Sequence, residues 1–202
     1  MKKLIIFGEY STALEIRETA KSDFDVQNVK FEDGFLNQIQ NYSKEETYYY
    51  IMSFSDYNLR QKCQDQLSKL SNFKSQTIIH SSAVVFKTAQ IGDGSYIAAT
   101  AVVSHNAVVA ENCLINFGVS VGHDATVGKN AVVMPGARIG GNCKIGDGCM
   151  IGTNSFIYQG MTIGNHTFID AMTYINKNIG EKEMVRNTPN LRITKNIFFN
   201  GK

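Results

Sequence analysis

From Ile79 to Ile175 an aliphatic residue recurs at every sixth position, seventeen times, with none skipped and nothing inserted. The series opens Ile79, Val85, Ile91, Ile97 and closes Ile157, Ile163, Ile169, Ile175. Four places after most of them stands a small residue, as at Ala83, Ser95, Ala107, Ala125, Ala131 and Ala137. A period of six fits neither a helix, near 3.6, nor an ordinary strand, near 2. It is the signature of a parallel β-helix, in which each repeat supplies one short strand and one corner. The aliphatic side chain points into a triangular prism. The small residue sits where inward space is scarce, and Gly or Asn supplies the corner backbone. One repeat cannot bury its own apolar face, so repeats must stack. Three repeats complete a coil, which sets residues 18 apart one above the other at ~4.8 Å.

The pattern before Ile79 is different. Lys2 to Gly8 reads as a buried strand, and Ser11 is placed to cap a helix running to about Ala20. Asp25 to Phe31 reads as a second strand, closing on Glu32-Asp33-Gly34, and Phe35 to Tyr42 as a short helix. Thr47 to Phe54 is rich in residues that favour sheets. Tyr57 to Leu70 carries Leu59, Cys63, Leu67 and Leu70 at helical spacing. Strands alternating with helices predict a small parallel α/β domain. With a boundary over Ser71 to Thr77, the chain divides into residues 1–76 and 77–202. The repeat is expected to stop after Ile175. The remainder carries Lys177, Lys182, Arg186, Arg192 and Lys195 and ends in the apolar patch Ile197-Phe198-Phe199.

Composition narrows the function. A net charge of +2 over 202 residues gives no electrostatic case for nucleic acid. Cys113, Cys143 and Cys149 occupy the small-residue slot and read as core packing. Cys63 falls in a helical pattern, and neither a zinc pair nor a disulfide framework is indicated. The opening MKKLIIFGEYS is too short for a signal peptide or a membrane span, which points to the cytoplasm. A dinucleotide fingerprint needs three spaced glycines. Only Gly8 is present, followed by Glu9-Tyr10-Ser11, which leaves a smaller nucleotide ligand touched by backbone N–H groups at a helix start.

The 18-residue rule picks out candidate chemistry. His105 and His123 share a corner column, and Gly141 is the next residue up. Asn116 lies seven residues before His123, and Asp124 follows it. An imidazole at a corner beside a carboxylate can act as a general base near neutral pH. His105 either supports the ring above it or touches substrate. Two histidines fall short of the three or four ligands of a zinc site, so no metal is expected.

On these residues the chain resembles the bacterial nucleotide-sugar acetyltransferases that join a Rossmann-like domain to a left-handed β-helix. That family includes the bacillosamine-pathway N-acetyltransferase and the sialic acid O-acetyltransferases. Asn116, His123 and Asp124 match its Asn and its catalytic His-Glu/Asp pair. Gly141 matches the glycine whose N–H faces the thioester carbonyl. Ser55-Asp56-Tyr57-Asn58-Leu59-Arg60 is similar to its G-D-N-x-x-R segment, and Ile79-His80-Ser81-Ser82-Ala83 to its I-H-P-S-A. Asp33 sits where the family is acidic.

The resemblance implies an acetyl-CoA-dependent N-acetyltransferase for surface glycans, acting on a nucleotide-linked deoxyamino sugar. His123 would be the base, with Asp124 and Asn116 beside it. Gly141, Gly122 and position 132 would lie on acetyl-CoA. Gly8, Tyr10, Ser11, Asp33, Asp56 and His105 would lie on the sugar nucleotide. A homotrimer is implied, with the acetyl-CoA cleft between neighbours. Three departures stand out: the shortened glycine turn, Val132 in place of a histidine that contacts acetyl-CoA, and Asn187-Thr188-Pro189-Asn190 in place of G-x-P-A. Two rival readings are a sugar O-acetyltransferase and a non-catalytic trimeric module that binds sugar nucleotides.

Overall fold

The computed structural model describes residues 1–30, 39 and 42–187. The expected helix over 35–42, the turn with Asp33, the Thr188-Pro189-Asn190 segment and the 197–199 patch lie wholly or mostly outside the described residues.

Four parallel strands form the first unit: β1 (Lys2–Phe7), β2 (Phe24–Val29), β3 (Tyr48–Met52) and β4 (Phe73–Ser75), in the order β2-β1-β3-β4. Two helices with described bounds accompany them, α1 (Ser11–Ala20) and α2 (Tyr57–Leu67). Alternation along β1 decides what each side of the sheet meets. Leu4 and Ile6 face α1, with Ala13 and Ile16. Ile5 and Phe7 face the other way, toward Cys63 and Leu67 of α2.

Three details differ from the sequence expectation. Ser11 does not cap α1: it is the first helical residue, and Tyr10 holds the N-cap position with no side-chain bond. The expected boundary over 71–77 contains β4, which pairs with β3. Three residues with one apolar side chain, Phe73, carry too little pattern to be read as a strand. On α2 it is Arg60, not Leu59, that joins Cys63 and Leu67 in the interior.

From Ile78 onward every strand is two residues long, and the strands stack into three parallel sheets. This arrangement fits a left-handed β-helix. Face 1 runs from Ile78–Ile79 through Leu114–Ile115 and Val132–Val133 to Met184–Val185. Face 2 runs from Val84–Val85 through Ser120–Val121 to Tyr174–Ile175, and face 3 from Gln90–Ile91 through Thr126–Val127 to Thr162–Ile163. Up to Ile175 partners are 18 residues apart, as in Ser120 with Arg138 and Thr126 with Lys144. The aliphatic of each pair points inward, and from Ile97 to Ile175 every one is buried, with Ala, Cys or Val between them up to Cys149. Each such burial is worth about 1.5–3 kcal/mol.

From Ile91 to Ile169 the third residue after each aliphatic adopts a left-handed conformation, which favours Asn, Asp or Gly at the corner; Thr100, His166 and Met172 are the exceptions. The coil does not end at Ile175. Ile179 bridges Ile163, and Val185 pairs with Ile169. The step from 175 to 179 is four residues instead of six, so the period slips while the stacking continues.

The two units share a core. Ile78, Tyr96, Leu114 and Val132 project from face 1 into the layer that holds Leu4, Ile6 and Ile16. Helix α2 runs along the corner between faces 3 and 1. The Arg60 guanidinium is wholly buried there and donates to the carbonyl oxygens of Phe54 (2.7 Å) and Asn112. Asn130 donates to Gln61 at 3.2 Å, and the Tyr57 ring meets His166 edge-on at 4.5 Å.

Candidate active site

Two groups of candidate residues form, on opposite sides of face 2. The first is at the corner between faces 2 and 3. His123 follows Val121 by two places, where the chain turns outward, and its side chain is 43% exposed. Its Nδ1 lies 2.8 Å from Asp124 Oδ2. Asp124 sits in the left-handed corner position, φ 57°, which turns its carboxylate back along the corner toward the ring. Hydrogen bonds from His123 and from Asn106, together with the charge of His105, hold the Asp124 carboxyl below its ordinary range. A carboxylate on Nδ1 fixes that nitrogen as the protonated one and leaves Nε2 as the acceptor.

His105 lies under His123 with its ring nearly parallel, 11° apart and 5.4 Å between centroids. Ligand atoms of His105, His123 and Asp124 lie within 4.8 Å of one another. Parallel stacked rings, however, aim their lone pairs in separate planes, so one ring would have to turn before both could bind one ion. Above His123 lies Gly141. A Cβ there would fall 2.5 Å from His123 Nε2, so only glycine leaves room for the ring. Gly141 N–H has no acceptor among the described residues, whereas the N–H groups of Lys129 and Asp147, at the same place in their repeats, donate to Asp147 Oδ1 and Asn165 Oδ1. Gly122 is close-packed for another reason: its Cβ would meet Gly141 N at 2.5 Å and Gly140 C at 2.6 Å.

The second group lines a cleft of about 350 Å³ where the α/β unit meets the corner between faces 1 and 2. Tyr10, Ser11, Asn116 and Val132 line it together with Ser53, Phe54, Phe117 and Pro135. The first-turn N–H groups of α1 open near it, without a side-chain cap. Gly8, φ 133°, does not line the cleft but lies against Ser53, which does; a Cβ on Gly8 would clash with Ser53 Oγ. Asn116 is mostly buried and donates to Val133 O at 2.9 Å. Val132 is 2% exposed and faces the α/β unit, away from His123. Asp56 caps α2 through Leu59 N at 2.9 Å. Asp33 lies outside the described residues.

The structure therefore brings His123, Asp124, His105, Gly122 and Gly141 together, and separately Tyr10, Ser11, Asn116 and Val132. It does not bring Asn116 to His123 within one chain. Sequence reasoning missed Asn106, although its distance of 18 from Asp124 was available as a signal. It also missed Ser53, Phe54 and Phe117, which carry no pattern of their own.

Comparisons place the chain among known proteins. Residues 124–159 match the bacterial transferase hexapeptide family, and residues 144–177 match the hexapeptide repeat of succinyl-transferase. No curated protein matches significantly by sequence. Among solved structures, the acetyltransferase domain of PglB from Neisseria gonorrhoeae FA1090 in complex with acetyl coenzyme A is similar at 25% identity. It covers 93% of this chain and 97% of that one, with a TM-score of 0.84. A variant of perosamine N-acetyltransferase from Caulobacter crescentus, in complex with CoA and GDP-perosamine, is similar at 19% identity. Coverage is 94% and 95%, and the TM-score is 0.81. WeeI from Acinetobacter baumannii AYE is similar at 18% identity, covering 94% and 98%, also at 0.81. At 18–19% identity the last two establish the fold alone. Both matched stretches lie in the coil and carry the hexapeptide repeat of transferases. The group the protein transfers is an acyl group, which makes it an acyltransferase.

Proposed function

We propose that this acyltransferase moves an acetyl group from acetyl-CoA to the amine of a nucleotide-linked deoxyamino sugar, for surface glycan synthesis. His123 is the general base. The carrying observation is the His123–Asp124 contact of 2.8 Å, with Nε2 beside Gly141, whose N–H has no acceptor among the described residues. His123 Nε2 takes the proton as the sugar nitrogen attacks the thioester carbonyl. The oxyanion that forms is met by Gly141 N–H, an interaction worth roughly 3–4 kcal/mol in comparable sites. Collapse expels the CoA thiolate, which recovers the proton from the imidazolium. Asp124 stabilises that imidazolium by its opposite charge. No metal is needed in this scheme.

Residues 1–76 serve as a Rossmann-like unit that holds the sugar nucleotide against Tyr10, Ser11 and Asn116, and residues 77–202 as the acetyl-CoA unit. The neighbours in complex with acetyl coenzyme A, and with CoA and GDP-perosamine, support both substrates. We further propose a homotrimer, in which His123 of one chain meets the Asn116 cleft of the next. The separation of the two groups across face 2 supports it. So do the exposed apolar side chains on and beside that face, including Phe156, Tyr158 and Tyr174, since patches of this kind mark interfaces. Among the described residues no helix is long and apolar enough to cross a membrane.

The test is thiol release from acetyl-CoA across a panel of nucleotide-linked 4-amino sugars, GDP-perosamine among them, with matched 4-hydroxy sugars alongside. His123→Ala should lower the rate about 10²–10⁴-fold, the usual worth of a general base. Activity within a few-fold of wild type would remove His123 from that role, and preference for the hydroxyl would make the enzyme an O-acetyltransferase.

A further inference from the structure

The Asp124 carboxylate is held at both oxygens. Oδ2 meets His123 Nδ1, and Oδ1 accepts from Asn106 Nδ2 at 3.1 Å. Asn106 stands one coil below Asp124 at the same corner, and both residues are left-handed, φ 55° and 57°. The Asn106 N–H is itself anchored, donating to Thr88 Oγ1 at 3.0 Å one coil further down. A line of hydrogen bonds thus climbs three coils and ends on the imidazole. We propose that Asn106 is a positioning residue, whose side-chain amide pins the Asp124 carboxylate and through it sets the tautomer and orientation of the His123 ring. The functional weight of this proposal rests on His123 being the base.

The need for such a pin follows from exposure. Both members of the Asp124–His123 pair are more than two-fifths exposed. An exposed pair loses most of its attraction to solvent and to side-chain entropy. A carboxylate already fixed at one oxygen has given up that freedom, so the second oxygen is presented to Nδ1 at little further cost. His105 is the other ionisable group against this pair, stacked on His123 from below.

The corner does not require the amide for its own sake. Glycine fills the equivalent place at Gly118, Gly136 and Gly160, where the backbone is also left-handed. At Asn130 the amide points elsewhere, to Gln61. Asn106→Gly therefore removes the donor and keeps the turn, while Asn106→Asp keeps the shape and sets a carboxylate against Asp124.

The experiment is NMR of the whole chain carrying ¹⁵N-histidine and ¹³C-aspartate, with the His123 signals assigned by their loss in His123→Ala. In the wild type His123 should carry its proton on Nδ1. In Asn106→Gly the proton should shift toward Nε2, and Asp124 should titrate at higher pH, closer to an ordinary carboxylate. In Asn106→Asp, Asp124 should titrate higher still. An unchanged melting curve for Asn106→Gly will show that the fold is kept. In thiol release the glycine variant should lose about tenfold in kcat, the low end for an outer-shell partner, with KM for acetyl-CoA unchanged. If tautomer and Asp124 titration in Asn106→Gly match the wild type, the proposal is overturned, whatever the activity. Transfer surviving His123→Ala would instead overturn the base assignment and leave the pin standing.

Discussion

Gly141 lies over His123 so closely that a methyl group at position 141 would fall 2.5 Å from Nε2 and 2.7 Å from Cε1. The conflict is with the end of a side chain that has solvent beside it, so the ring can yield by swinging outward. Gly141→Ala should therefore leave stability within about 1 kcal/mol of wild type. The displaced ring should lower kcat about 100-fold, the scale of a misplacement near 1 Å. Gly122→Ala is the contrasting case. Its methyl would meet backbone atoms of Gly140 and Gly141, which cannot swing away. A loss of about 1–3 kcal/mol is expected from such overpacking. Thermal denaturation and thiol release measured on both variants should separate a site glycine from a packing glycine. Equal stability losses would contradict this assignment.

Much of this corner was legible from arithmetic on the chain. A strict period of six fixes the prism, and multiples of 18 put His105, His123 and Gly141 in one column before any coordinates. The same arithmetic was silent where the period slips at Ile179, because a four-residue step looks like the end of a repeat. It was silent on Arg60 as well. Helical spacing favours Leu59 beside Cys63 and Leu67, and nothing in the sequence says that three carbonyl oxygens await a guanidinium one position along. The cleft lined by Ser53, Phe54 and Phe117 depends on how two units dock, which local pattern does not encode.

Arg60 gives the second prediction. Burial pushes its pKa below the ordinary guanidinium value, yet its partners are the carbonyls of Met52, Phe54 and Asn112, with no carboxylate bonded to it among the described residues. The side chain ties the end of β3 and the start of α2 to the coil. Arg60→Ala would leave these acceptors unpaired beside a cavity, and should cost about 3–5 kcal/mol. Arg60→Lys keeps the charge but lacks the planar fork, and should recover only part of that loss. Urea denaturation followed by circular dichroism will check both. A lysine variant as stable as wild type would show that charge alone suffices.

Stability should fall in alkali. Burial raises the thiols of Cys63 and Cys113 from 9.0 to about 12, and the phenol of Tyr50 from 10.0 to about 12. Between about pH 9 and 12 the unfolded chain gives up protons that the folded chain keeps. Fewer protons bound in the unfolded state means that stability declines as pH rises. The contribution is fully present below pH 9 and lost as pH passes through the folded values. The urea midpoint should drop progressively from pH 9 upward, and Tyr50→Phe should flatten the drop above pH 10. A midpoint constant from pH 7 to 11 would count against the burial of these groups.

The fourth prediction tests the assembly. Asn116 and His123 are seven residues apart, and a coil turns a corner every six. They fall on neighbouring corners with face 2 between them, so in the proposed homotrimer one substrate would meet Asn116 of one chain and His123 of the next. Homotrimers of Asn116→Ala and of His123→Ala should each be nearly inactive. Asn116→Ala should also lose about 1 kcal/mol with its bond to Val133 O. Co-expressed, the two variants should form mixed trimers in which an intact Asn116 from one chain faces an intact His123 from its neighbour. Random assortment in a closed ring gives about one such site in four, and about a quarter of wild-type activity should return. Sedimentation will show whether the mixed species is a trimer. Trimers that stay inactive on mixing would mean that each chain completes its own site, and the shared-site arrangement would have to be given up.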